Sequence, residues 1–196
     1  MCTCEHLSYW KPQETDWKPS DNEDLPLSTL QKQAFDGWRR PHELLCRARD
    51  SHDKVDTRRR TLDLVQDVVS DCSVVASLCA VIARSERGHA DLWMSSVYPY
   101  DKDSKEPAAS SKGKHVFRFH FNGCYRRVVV DDRLPSSHTS QALHVVNRNN
   151  SNVYWPALIE KAYLKVRGGY DFPGSNSGTD LWVLTGWIPE QLFLQR

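Results

Sequence analysis

The chain has 196 residues, enough for one domain with a substantial core. Its 39% hydrophobic and 26% charged residues are ordinary for a globular protein, and no apolar run approaches the roughly 20 residues that span a bilayer. A formal net charge of +1 gives no general pull toward nucleic acid or acidic membranes.

The first stretch, to about Leu25, is polar and proline-punctuated (Pro12, Pro19, Pro26) and reads as an extended arm. It has neither the basic region nor the apolar core of a signal peptide. Cys2-x-Cys4-x-His6 is half a metal site, but no second pair of ligands follows at zinc-finger spacing. The six cysteines are irregularly spaced, which fits a reduced, cytoplasmic protein rather than a disulfide scaffold. Ser28 to Trp38 is expected to form a short helix, with Ser28 as N-cap and Gly37 near its end. Arg49 to Arg60 is expected to be a surface connection, and Arg58-Arg59-Arg60 a solvated run.

Cys72 to Ala83 is apolar or small on every side, which predicts a central helix buried all round. Ser70 or Asp71 can cap its start, Arg84 suits its last turn and Gly88 lies just beyond. Residues 115 to 131 predict a hairpin, because Asn122-Gly123 accepts the positive φ angles of a type I′ turn. A second helix is expected from near Pro156, with Leu158, Ala162, Tyr163 and Val166 at helical spacing, and Gly168-Gly169 stops it. The tail from Tyr170 is rich in Gly, Asn and Ser, then turns apolar at Leu181-Trp182-Val183-Leu184.

The chemistry concentrates at Gln66 to Cys72. A nucleophilic cysteine needs a lowered pKa, which the start of a helix supplies through its unpaired N–H groups and dipole. Cys72 sits at that start, whereas Cys79 lies two turns deeper and reads as core. Gln66 precedes Cys72 by six positions, so its amide can lie beside the Cys72 N–H as a second oxyanion donor. From the residues alone, a structural cysteine at the head of a core helix fits as well.

Gln66-Asp67-Val68-Val69-Ser70-Asp71-Cys72-Ser73 resembles the calpain nucleophile motif. Val128 to Pro135 resembles the calpain strand-and-turn segment, and Trp155-Pro156-Ala157-Leu158-Ile159-Glu160-Lys161-Ala162-Tyr163 its second helix. Leu184-Thr185-Gly186-Trp187 is similar to the stretch leading into the second catalytic subdomain. These four motifs stand in family order across Leu62 to Arg196, and Gly169 to Asp180 most resembles the fungal PalB branch of ambient-pH signalling. The resemblance implies an α+β, papain-like protease core: a nucleophile-bearing subdomain with a central buried helix and a small antiparallel hairpin sheet. It divides the chain into an arm at 1–60, the nucleophile half at 61–185, and the start of a second subdomain at 186–196. It also implies a cysteine endopeptidase with Cys72 as nucleophile and Gln66 in the oxyanion hole, acting on a PacC-like transcription factor alongside ESCRT-related endosomal proteins.

Three departures stand beside the resemblance. Ser73 occupies a position that is usually Trp in classical calpains. Of two calcium-binding acids in the classical first half, one aligns with Asp63 but the other falls near Val153, which cannot ligate; this puts calcium dependence in doubt, and no other cofactor is required. The catalytic His and Asn of the family belong to the second subdomain, so they are expected beyond residue 196. None of His89, His115, His120, His138 and His144 lies in a family His motif. His115 and His120 are expected on opposite faces of the hairpin, and His144 at the surface. An exposed apolar face is expected around Trp182 and Trp187. The alternative reading is a truncated, non-catalytic calpain module that binds partners.

Overall fold

Ser28 and Gln31 open the first helix by satisfying each other's backbone. Ser28 N donates to Gln31 Oε1 at 2.8 Å and Gln31 N donates to Ser28 Oγ at 3.3 Å, a reciprocal cap that fixes where the helix starts. The structure is a computed structural model describing residues 24–48, 63–66, 70–87, 97–101, 103, 106–139, 142–150, 153–190 and 192. The Cys2-Cys4-His6 half-site, the Arg58–Arg60 run, Gly88 and His89 lie outside the described residues.

Helix α1 (Thr29–Ala34) is shorter than its sequence suggests. Strand β1 (Phe35–Arg39) follows at once and pairs antiparallel with β8 (Leu134–Ser137), Trp38 opposite Pro135 and Arg39 opposite Leu134. A pairing made with residues so distant in sequence overrides the helical preference of 35–38. Helix α2 (Pro41–Ala48) comes next, with Pro41 at its head, where a missing N–H costs nothing. Strand β2 (Leu64–Val65) leads to α3 (Cys72–Glu86), and three short strands follow: β3 (Val97–Tyr98), β4 (Tyr100–Asp101) and β5 (Glu106–Pro107).

The expected hairpin is present as β6 (Lys114–Phe121) and β7 (Cys124–Asp131). Asn122 at φ 50° and Gly123 at φ 77° form its turn, as the Asn-Gly pair requires. His115, Phe117 and Phe119 of β6 and Val128 and Val130 of β7 are buried in the core. Strand β9 (Val146–Asn147) pairs with β2. Helices α4 (Trp155–Val166) and α5 (Ser177–Thr185) complete the chain of elements, giving an α+β fold with small antiparallel sheets.

The helix buried on every side over most of its length is α4, not α3. Every residue from Trp155 to Leu164 is buried, Glu160 and Lys161 included. Helix α3 packs Val74, Val75, Leu78, Val81 and Ile82 inward but leaves Cys72, Ala76, Ala80 and Arg84 exposed, one stripe at four-residue spacing. Its small residues lack polarity yet have nothing over them, so a sequence without a polar face does not here mean a helix without a surface.

Helix α5 goes unannounced in the glycine- and serine-rich tail. Asn176 caps it by accepting from Thr179 N at 3.0 Å, and Gly186 ends it at φ 76°. It delivers Val183 and Leu184 to the core. Trp182 is half-buried, its ring edge-on to His120 at 5.1 Å, so the exposed apolar patch lies further on, at Trp187, Ile188 and Leu192. No helix among the described residues is long and apolar enough to cross a membrane.

Candidate active site

Cys72 is the first residue of α3, and its side chain is exposed. Asp71 holds the N-cap position, with its carbonyl accepting from Val74 N at 2.8 Å and Val75 N at 3.1 Å. The N–H groups of Cys72 and Ser73, ahead of those two, have no helical carbonyl to bond, which makes this end attractive to developing negative charge. Neither expected cap works through its side chain. Ser70 Oγ donates to Phe172 O at 2.6 Å, and Asp71 turns its carboxyl away from the helix.

What Asp71 turns toward is Gln66. Strand β2, held against β9, ends immediately before Gln66, and Asp63 N donates to Asn147 Oδ1 at 3.1 Å to anchor the start of that strand. The Gln66 Nε2 amide donates to Asp71 Oδ1. Gln66 therefore reaches the head of α3 through the residue that precedes Cys72, and this hydrogen bond decides which end of its amide faces the helix.

Beneath that contact, Asp71 meets Glu160 of the buried helix α4; both side chains are fully buried. Burial pushes the Asp71 carboxyl up to about 6, a rise that the hydrogen bond from Glu160 partly opposes and the nearby charge of Asp180 reinforces. Glu160 is held well above the usual carboxylate range, first by burial and then by the Asp71 charge. Sequence reasoning reads Asp71 as a helix cap and Glu160 as a motif letter. The signal that both do more is an acid at a position whose helical neighbours are all apolar.

Cys79 is half-buried, and burial raises its thiol above the ordinary value. Among the described residues no histidine hydrogen-bonds Cys72. His115 faces the core, with neither ring nitrogen partnered, and burial pushes its pKa down to about 4. His120 lies on the other hairpin face, edge-on to Tyr125 and Trp182. His138 is exposed next to β8 and gives its backbone N–H to Ala34 O at 3.0 Å. His144 is not at the surface as expected: its ring is half-buried against the apolar wall made by Leu44, Leu134 and Ala157, Nδ1 lies 2.9 Å from Val145 O, and burial lowers its pKa.

Asp63 is exposed and pairs with Arg148 at 3.8 Å, while Val153 lines the same apolar depression as His144. Among the described residues, no three His, Cys, Asp or Glu side chains gather closely enough to hold a metal ion.

Residues 16–195 match the family described as calpain family cysteine protease. The chain is 60% identical over 179 residues to the calpain-like protease palB of Emericella nidulans, a match covering 89% of this chain and 21% of that protein. It is 54% identical over 177 residues to the calpain-like protease palB/cpr-8 of Neurospora crassa, covering 90% of this chain and 19% of that one. It is 44% identical over 168 residues to calpain-7 of Homo sapiens, covering 86% and 20%. The chain thus spans about a fifth of the length of these curated relatives.

Proposed function

The chain belongs to the calpain family of cysteine proteases, and from that membership we propose that it carries the nucleophile half of a thiol endopeptidase. Cys72 Sγ, as thiolate, attacks the carbonyl carbon of a peptide bond, and the Cys72 N–H and the Gln66 amide receive the developing oxyanion. The observation that carries this reading is the exposed thiol on the first residue of α3, with the Gln66 amide held at the residue before it. In calpains the base that takes the thiol proton and the Asn that orients it belong to the second catalytic subdomain, and neither role is assigned to His115, His120, His138 or His144. Similarity to palB proteases supports protein substrates and a place in the alkaline-pH response. A PacC-like transcription factor is then the substrate and ESCRT-related endosomal proteins the neighbours. A classical calcium-ligand position that falls near Val153, which cannot ligate, supports an activity that calcium does not control through Asp63.

Iodoacetamide near neutral pH, followed by peptide mass mapping, tests the nucleophile. Cys72 should be modified well ahead of Cys79; equal, slow modification of both removes the case for an activated thiol. The second reading, a partner-binding module without turnover, draws on the exposed Trp187, Ile188 and Leu192. It prevails if the chain extended with its His-bearing subdomain cleaves nothing that Cys72→Ala fails to cleave.

A further inference from the structure

Asp71 and Glu160 each have one oxygen with an evident donor. Asp71 Oδ1 takes the Gln66 amide, and Glu160 Oε2 accepts from Val145 N at 2.8 Å. The remaining oxygens, Asp71 Oδ2 and Glu160 Oε1, are buried and meet no N–H or hydroxyl donor among the described residues. Yet the two carboxyls face each other at hydrogen-bonding range, each shifting the other's titration. Two carboxylates cannot do this, because ionised carboxyl groups only accept. A single proton between Asp71 Oδ2 and Glu160 Oε1 removes both contradictions.

Burial and repulsion say where that proton rests. Glu160 is the more elevated of the two, so through neutral pH it is the acid and Asp71 the carboxylate. The other groups facing the pair do not neutralise it. Asp180 on α5 adds negative charge, and the buried Tyr170 phenol, whose hydroxyl has no partner, is held un-ionised by burial and by the two carboxyls. Asp131 acts on Tyr170 from further off, and neither Asp71 nor Glu160 has an ion pair among the described residues. In place of a cation, this end of the core holds one proton.

We propose that Glu160 is a positioning residue for the oxyanion donor: the proton it shares with Asp71 keeps Asp71 Oδ1 an acceptor, and that acceptor fixes the Gln66 amide at the head of α3. This rests on the reading of Gln66 as an oxyanion donor, and it assigns the buried acid of α4 a task beyond packing. The arrangement has two limits. When the pH falls through the Asp71 titration the pair gains a second proton and the hold on the amide loosens. When the pair loses its last proton at high pH, two buried carboxylates repel each other and α3 separates from α4 at this point.

The isotopically labelled 196-residue chain tests this by NMR without requiring turnover. The Gln66 side-chain NH2 resonance should shift with a midpoint near pH 6, following Asp71. Glu160→Gln keeps both contacts, since its amide oxygen can accept from Val145 N and its NH2 can donate to Asp71 Oδ2. The Gln66 resonance at pH 7.5 should therefore survive in Glu160→Gln and be lost in Glu160→Ala. Loss in Glu160→Gln, or a Glu160 carboxyl carbon that titrates near its ordinary 4.5 in the unaltered chain, overturns the proposal. Those two readouts decide even if Glu160→Ala does not fold. Separately, Gln66→Ala should weaken the adduct of Cys72 with a peptide aldehyde by about 100-fold. Unchanged aldehyde affinity overturns the oxyanion role of Gln66, and the resonance still reports whether Glu160 holds the amide.

Discussion

His115 stands opposite Val130 in the β6–β7 register, inside the core, with both imidazole nitrogens lacking a partner. A ring that accepts no proton in the native state, in a chain whose unfolded form accepts one readily, ties folding to pH.

Burial, helped by the Lys161 charge and partly opposed by Asp131, pushes the His115 pKa from 6.5 to about 4. Between those values the unfolded chain binds a proton that the native ring refuses, so stability falls as pH drops from about 6.5 toward 4. The loss from this residue alone is on the order of 3 kcal/mol. Asp71 runs the other way: its raised pKa makes the native state the better proton binder below about 6. The raised Glu160 acts in the same sense as Asp71, so the His115 share is read by difference: between pH 7 and 4.5, urea melts of His115→Leu should show about 2–3 kcal/mol less loss on acidification than the native sequence shows. An unchanged difference between the two pH values in His115→Leu would place the sensitivity elsewhere.

Lys161 is buried with its ammonium on Asp131 Oδ1, and it also donates to Arg133 O at 2.5 Å and Asp131 O at 3.3 Å. Burial lowers its pKa, and burial alone would raise that of Asp131, but the Lys161 ammonium together with the Arg133 guanidinium more than offsets this and holds the Asp131 carboxyl below its usual range. Lys161→Met leaves the buried Asp131 carboxylate with Arg133 as its remaining cation and strips two carbonyls of their donor, so equilibrium denaturation should show a loss of about 3 kcal/mol. Adding Asp131→Asn to that variant should recover little of it, because the carboxylate still serves as the partner of Arg133.

Two glycines at positive φ should behave differently when given a side chain. Gly123, at φ 77° in the hairpin turn, faces open space, so Gly123→Ala should cost about 1 kcal/mol from backbone strain. Gly169, at φ 118°, would bring a Cβ to 2.7 Å from Pro26 Cδ and 2.9 Å from Pro26 O. Gly169→Ala should therefore cost at least about 2 kcal/mol, read as a lower midpoint in the same denaturant. Equal costs would mean that the Pro26 segment gives way easily.

Asn176→Ala removes the side-chain acceptor of Thr179 N. It should destabilise the chain by about 1 kcal/mol. Asn176→Asp should restore most of that, since a carboxylate accepts the same bond and favours a helix N-terminus.

The hairpin and the start of α3 were legible because their signals are local: Asn122-Gly123 for the turn, and a small polar pair before Cys72. Helix α5 was hidden by the composition of its flanks, although Asn176 and Gly186 are standard terminators. The β1–β8 pairing was invisible because nothing near Phe35 announces a partner a hundred residues away. At the site, family motifs marked Gln66 and Cys72 but not the proton-sharing contact below them. Glu160 and Asp71 are 89 positions apart in the numbering, and their meeting depends on how α3 crosses α4. His144 was misread for a related reason: the groove that covers it is built from α2, β8 and α4.

The carbonyl of Pro26 accepts from Tyr170 N at 2.7 Å and Asp171 N at 3.2 Å, at the exit of α4. Arg40 reaches Asp132 at 3.3 Å from the same N-terminal side. Both clasps join early described residues to segments that leave the ribosome long after them. Closure of such distant loops is slow. The Pro26 carbonyl must therefore wait until α4 has emerged and turned, whereas Arg40 and β1 can close as soon as Asp132 and β8 are out.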